Sequence, residues 1–185
     1  LDRAVSNFES FKNHVSVLFW SLGNESYAGD ILVEMNRYYK EKDPDRLVHY
    51  EGVAENRPYE DLISDMESQM YAPPEKIKEY LENNPKKPFI LCEYMHDMGN
   101  SLGGMESYIR LLDQYEDYQG GFIWDYIDQA LFVKDEVTGR DVLRYGGDFD
   151  DRPSDYEFSG NGILFADRTE KPAMQEVRHY YGLRR

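Results

Sequence analysis

Apolar residues in this chain fall into short runs separated by amphipathic or charged stretches, and the two kinds of segment alternate. Residues 15–25 gather Val15, Val17, Leu18, Phe19, Trp20 and Leu22 before ending on Glu25, which predicts a buried strand. Asp30–Lys42 instead spaces Ile31, Leu32, Met35, Tyr38 and Tyr39 along one face of a helix, and Asp43-Pro44 stops it. The contrast then repeats. Residues 47–51 predict a short strand, 62–71 contain another, and Pro73-Pro74 opens a helix reaching about Asn83. Residues 88–94 predict a strand, 104–115 an amphipathic helix, 121–126 a strand and 172–180 a last helix, while 1–13 form the tail of a helix.

Five strands alternating with helices imply parallel βα units and the α/β class, because strands that pair in parallel need a crossover between them. No repeat, low-complexity tract or linker divides the 185 residues, so one domain over 1–185 is expected. The connection 130–160 is rich in Asp, Gly and Arg. Its Glu136-Val137-Thr138-Gly139 predicts a hairpin turn ahead of Val142-Leu143-Arg144-Tyr145.

A formal charge of −15 argues against nucleic acid, whose phosphates need clustered Lys and Arg. No apolar stretch is long enough to span a membrane. The lone Cys92 permits no disulfide within the chain; inside an apolar strand it reads as a buried structural thiol, since a nucleophile needs exposure and a partnering histidine. Most of the 16 tyrosines belong to core and helix packing, with a minority at strand ends offering flat apolar faces suited to sugars.

Charge placement carries more information than charge total. The runs leading to Glu25 and to Glu93 are among the most apolar in the chain, and each glutamate is followed by a loop rich in Gly, Asn or Ser. With 36 acidic residues, one idle strand-end glutamate would be unremarkable. Two such glutamates on different strands are the layout of a glycosidase, in which one carboxyl protonates the leaving oxygen and the other attacks the anomeric carbon.

The strings Ser21-Leu22-Gly23-Asn24-Glu25-Ser26, Cys92-Glu93-Tyr94-Met95-His96-Asp97-Met98-Gly99-Asn100-Ser101-Leu102-Gly103-Gly104 and Gly120-Gly121-Phe122-Ile123-Trp124-Asp125-Tyr126-Ile127-Asp128-Gln129 resemble the catalytic barrel of the β-galactosidases in glycoside hydrolase family 2. Tyr145-Gly146-Gly147-Asp148-Phe149 and residues 161–168 extend the resemblance over nearly the whole chain. It implies a (β/α)8 TIM barrel, present in part as about the fourth to eighth βα units, with the upstream part of the catalytic domain lying outside this sequence. A complete barrel needs roughly 200 to 250 residues or more.

The resemblance also assigns roles. It makes Glu25 the acid/base and Glu93 the nucleophile of a retaining exo-β-galactosidase working by double displacement, with carboxyls about 5.5 Å apart. Asn24 would bind the sugar 2-hydroxyl, and His96 further hydroxyls. Tyr71 would contact the nucleophile, or equally cap the core; Trp124 would be a platform for the sugar ring, or equally core. Phe158, through its carbonyl, and Asn161 correspond to Na+ ligands, and Glu25 to one Mg2+ ligand, with both sites incomplete here.

The implied partners are a β-galactoside, the rest of the parent chain and further copies of the parent in a homo-oligomer; the isolated piece is expected to be inactive, and the parent cytoplasmic. A β-glucuronidase or another exo-glycosidase of the same family is the alternative, disfavoured by the lack of Lys or Arg between Glu93 and Arg110. A non-catalytic folding or binding module is the other.

Overall fold

Helix α1 (Asp2–Phe11) places Ala4 and Phe8 one turn apart, and both are buried against β1 (Phe19–Ser21) and α2 (Asp30–Lys42). Trp20 of β1 stacks on Tyr39 of α2 with ring centroids 5.2 Å apart, and Phe8 lies 5.5 Å from Trp20. The indole N–H of Trp20 donates to Asp43 Oδ2 at 3.0 Å, which gives this buried ring a polar partner at the end of the helix. Leu32 and Tyr39 are the buried positions of α2, as the periodicity predicts, but Ile31 is 55% exposed. Its place at the margin of the apolar stripe leaves it outside the packed face.

The computed structural model describes residues 1–183, which form two compact units. The first comprises Leu1–Cys92 with Tyr115–Gly120. Within it β1 pairs in parallel with β2 (Leu47–His49), setting Trp20 opposite Val48 and Ser21 opposite His49. The strand expected over 15–25 is much shorter than its apolar run. Val17 N–H closes a turn on His14 O, Val15 is 93% exposed, and the strand ladder with β2 takes in the three residues of β1. Hydrophobicity marked the run, but ladder pairing defines the strand, with Leu22 N–H adding one bond to His49 O just past its end.

After β2 the chain makes two 3-10 turns (Glu51–Ala54 and Arg57–Tyr59), a one-turn helix α3 (Glu60–Ile63) and β3 (Glu67–Met70). Helix α4 (Pro74–Glu82) starts with proline in its first turn, as expected, and leads to β4 (Phe89–Tyr94). A three-stranded sheet has the order β3-β4-β5, with β5 at Tyr118–Ile123. The predicted strand 121–126 is therefore displaced toward the N-terminus, and Trp124 and Asp125 fall beyond its end. Strands β4 and β5 each run on from the first unit into the second.

The second unit, residues 93–114 and 121 onward, contains α5 (Met105–Gln114), a hairpin β6 (Leu131–Lys134) and β7 (Asp141–Arg144), and α6 (Met174–Gly182). An apolar cluster in it joins Met105, Ile163, Leu164 and Val177, with Met95, Ile123 and Ile127 packed against them. The hairpin pairs antiparallel with Leu131 opposite Arg144, closed by Asp135 accepting from Thr138 N at 2.8 Å and by Gly139 at φ +68°. Its turn matches the expectation at 136–139. No helix among the described residues is long and apolar enough to cross a membrane.

Candidate active site

In the first unit Glu25 lies past the end of β1, in a loop whose backbone is unusually well held. Its φ is +52°, a left-handed conformation that disfavours residues with a Cβ, so the surroundings must impose it. The restraint comes from the chain after β2. Glu25 N–H donates to Glu51 Oε1 at 2.6 Å, Ser26 N–H donates to the buried Tyr50 hydroxyl at 3.0 Å, and that hydroxyl donates to Ser26 O. Gly52 completes the grip, because a Cβ there would stand 2.5 Å from Ser26 O and 2.6 Å from the Tyr50 ring.

The side chains of Asn24 and Glu25 are left exposed. Glu25 and Ser26 line a cleft of about 490 Å3 with Glu51, Glu55, Arg57 and Met70. Tyr71 follows Met70 directly; it is 39% exposed at φ +52°, so it is no cap on the core. Arg57 holds the buried Glu67 through two contacts, Nη1–Oε2 at 2.6 Å and Nη2–Oε1 at 2.9 Å. Behind the loop, the His49 ring sits between Ser21 Oγ at 2.9 Å and Ser68 Oγ at 2.7 Å, and burial pushes its pKa down to about 4, leaving it neutral near pH 7.

In the second unit the ends of β4 and β5 and the 3-10 turn Tyr156–Ser159 converge. Glu93 is half-buried on β4. Trp124 N–H donates to Tyr94 O at 3.0 Å and Trp124 O accepts from Asp97 N–H at 2.9 Å, tying the loop after β4 to the loop after β5. The Trp124 side chain is 36% exposed, which makes it a surface rather than core. The His96 ring meets Phe158 edge-on with centroids 6.2 Å apart, and Asp125 N–H donates to Asn161 O at 2.8 Å. The structure thus gathers Glu93, His96, Trp124, Phe158 and Asn161 in one unit, and Asn24, Glu25 and Tyr71 in the other.

The two expected Na+ ligands meet in one hydrogen bond. Asn161 Nδ2 donates to Phe158 O, which fixes the orientation of the amide, since a carbonyl can only accept. The buried Oδ1 is then left without a hydrogen-bond partner, an oxygen of the kind a hard cation takes. Glu25 fares differently. It belongs to no group of three or more metal-ligating side chains among the described residues.

Several residues bearing on the site were not singled out from sequence. Glu51, Tyr50 and Gly52 act on Glu25 from a segment whose local pattern shows only a strand end. Asp97 is buried with Oδ2 unpartnered, and burial pushes its pKa up. Asp128 Oδ1 accepts from Gly162 N–H and from Lys171 Nζ, both at 2.8 Å, bracing the loop that carries Asn161. Cys92, expected to be buried, is only partly so.

The model for glycosyl hydrolases family 2, TIM barrel domain, matches residues 1–184. The chain is 74% identical to the β-galactosidase large subunit of Latilactobacillus sakei over 98% of its own length and 29% of that protein. It is 70% identical to the β-galactosidase large subunit of Lactobacillus helveticus, over 99% and 29%, and 61% identical to a β-galactosidase of Halalkalibacterium halodurans, over 98% and 18%. It thus spans less than a third of these relatives. Among solved structures, a β-galacturonidase from Eisenbergiella tayi superimposes with a TM-score of 0.62 at 16% identity, over 98% of this chain and 36% of that one. A β-glucuronidase from an uncultured Clostridium gives 0.61 at 19%, over 98% and 35%; likenesses this remote speak to the fold alone.

Proposed function

We propose, from the premise that this chain belongs to glycosyl hydrolase family 2 and carries its TIM barrel domain, that it supplies about the fourth to eighth βα units of a retaining exo-β-galactosidase. The observation that carries the proposal is the placement of the two glutamates, Glu25 in the loop after β1 and Glu93 at the C-terminal end of β4, the end of a strand at which barrel enzymes place their chemistry. The 74% identity to a β-galactosidase large subunit supports the choice of sugar.

In this mechanism Glu93 attacks the anomeric carbon of a terminal β-galactoside, forming a glycosyl-enzyme ester as the glycosidic C–O bond breaks. Glu25 gives its proton to the departing oxygen. In the second step Glu25 takes a proton from water, the water oxygen bonds to the anomeric carbon, and the Glu93 carboxylate leaves. Glu51 and Tyr50 serve as positioning residues: they grip the backbone of residues 25 and 26 and leave the Glu25 side chain exposed. Asn24 binds the 2-hydroxyl, His96 other hydroxyls, Tyr71 the nucleophile, and Trp124 stacks under the apolar face of the ring. Phe158 O and Asn161 Oδ1 would hold Na+, a fixed positive charge that a sugar hydroxyl could contact. Glu25 would give Mg2+ one of its ligands, the rest coming from elsewhere in the parent. The parent assembles from further copies of itself and completes its site with chain outside this sequence.

The test is an assay of the full-length polypeptide that contains this chain against aryl β-galactoside, β-glucoside and β-glucuronide. The galactoside should be preferred by at least about tenfold, since a site built to pair one hydroxyl leaves groups unpaired with its epimer. Preference for the glucuronide would move the protein to the sister activity, and no turnover of any of the three to the binding-module reading.

A further inference from the structure

A second constellation lies behind the Glu25 loop, and of its three residues only Glu51 enters that mechanism. His49 closes β2, Glu51 begins the turn after it, and Cys92 sits in β4; all three belong to the first unit. Each contributes one metal-ligating atom, and these atoms lie within 4.8 Å of one another. His49 and Glu51 are buried and Cys92 is partly so.

We propose that His49, Glu51 and Cys92 form a binding site for a thiophilic divalent cation, with Zn2+ the best fit. The donor set decides the class of ion. Nitrogen, oxygen and sulfur together suit Zn2+ or its Co2+ surrogate, whereas Mg2+ takes oxygen alone. Ligand atoms around a tetrahedral zinc stand roughly 3.5 Å apart, from metal–ligand bonds of about 2.0–2.3 Å, so modest side-chain rotation closes the set. One ring nitrogen of His49 binds the ion while the other stays on a serine hydroxyl, Ser21 or Ser68, the outer contact that usually fixes a ligating imidazole. On binding, the Cys92 S–H bond breaks, its proton goes to solvent and the sulfur pair bonds the metal; water takes the fourth position.

The site has a consequence for Glu25. Glu51 Oε1 accepts the Glu25 N–H, so an ion that draws on this carboxylate competes with the grip on the loop. The cation is therefore an inhibitor of turnover, a corollary that rests on Glu25 being the acid/base.

The experiment titrates Co2+ into the chelator-treated full-length polypeptide with Mg2+ present in excess. Thiolate-to-cobalt charge-transfer absorption should appear and be lost by one equivalent in Cys92→Ala. Glu51→Gln, which leaves the thiol in place, should weaken the same signal's apparent affinity by at least about tenfold and covers a Cys92→Ala variant that does not fold. A signal absent from the wild type, undiminished in folded Cys92→Ala or unmoved in Glu51→Gln overturns the site. Activity is read in parallel with Zn2+: inhibition should need at least about tenfold more Zn2+ in Cys92→Ala. Absorption without inhibition keeps the cation site and overturns its link to Glu25. Failure of the galactoside assay leaves the absorption test standing by itself.

Discussion

The loop that carries Glu25 and the loops around Glu93 are held by opposite means. Around Glu25 the backbone N–H groups of residues 25 and 26 are met by Glu51 and Tyr50, beneath which lies an aromatic core of Phe8, Trp20, Tyr39 and Tyr50. Around Glu93 an aliphatic cluster of Met105, Ile163, Leu164 and Val177 has Ile109, Ile123 and Met174 packed against it, and Asp97 Oδ2 and Asn161 Oδ1 are buried without partners. The first arrangement is finished: it fixes a strained backbone and lets the carboxyl face solvent. The second holds polar atoms at an energetic cost that a ligand would relieve. The proposed mechanism uses both, a preset acid and a set of groups whose best partners arrive with the ion and substrate.

The sharpest way to break the comparison is to remove the carboxylates in the full-length polypeptide. Glu93→Gln should lower kcat on an aryl β-galactoside by on the order of 10^4-fold or more, with no recovery by added anions. Glu25→Gln should cost about 10^2- to 10^4-fold and be partly rescued by azide, which can attack the glycosyl-enzyme without a general base. Near wild-type turnover in Glu93→Gln would end the assignment of the second unit as the nucleophile's.

Next come the two glycines that close each region. A Cβ at Gly162 would stand 2.3 Å from Asp128 N and from Ile127 C, backbone atoms that cannot yield cheaply. At Gly52 the contacts are 2.5 Å to Ser26 O and 2.6 Å to the Tyr50 ring. Gly162→Ala should destabilise by about 3 kcal/mol and Gly52→Ala by about 1–3 kcal/mol, read by urea denaturation. Gly52→Ala should also lower kcat, because the atom it displaces belongs to the Glu25 loop. An unchanged kcat in a folded Gly52→Ala variant would show that the grip does not position the acid.

The smallest effect concerns pH. Burial pushes the Asp97 pKa up, so between the ordinary carboxylate range and the raised native value the folded state binds more protons than the unfolded one. Stability from this group is present below the unfolded pKa and is lost as pH rises through the native one. Asp97→Asn should remove that part of the decline and leave the protein more stable near pH 7; a thermal-denaturation series over pH would reveal an unaltered slope if the carboxylate is instead ionised and paired.

Much of this was legible in residue pattern. The alternation of strands and helices, the α4 proline start and the hairpin turn at 136–139 follow from local signals that tertiary structure left intact. What escaped depended on distant partners. Val15 is as apolar as Trp20, yet only Trp20 has Tyr39 and Phe8 to pack against. Glu51 looks like any strand-end carboxylate until the fold aims it at Glu25 N–H. Cys92 was set aside for want of a histidine, and the histidine that reaches it, His49, is supplied by another strand. The standing of Tyr71 and Trp124 as surface rather than core likewise needed solvent exposure, which no spacing encodes.

The chain's two tryptophans divide along the same line. Trp20 is buried, stacked on Tyr39 and overlain by Arg46 at 5.3 Å, while Trp124 stands partly open beside the Glu93 loop. Their emission should differ accordingly, blue and shielded from collisional quenchers for Trp20, redder and quenchable for Trp124. Replacing either with phenylalanine isolates the other, so the molecule carries an intrinsic optical probe for each unit, and a sugar settling over Trp124 would announce itself in the spectrum without any label.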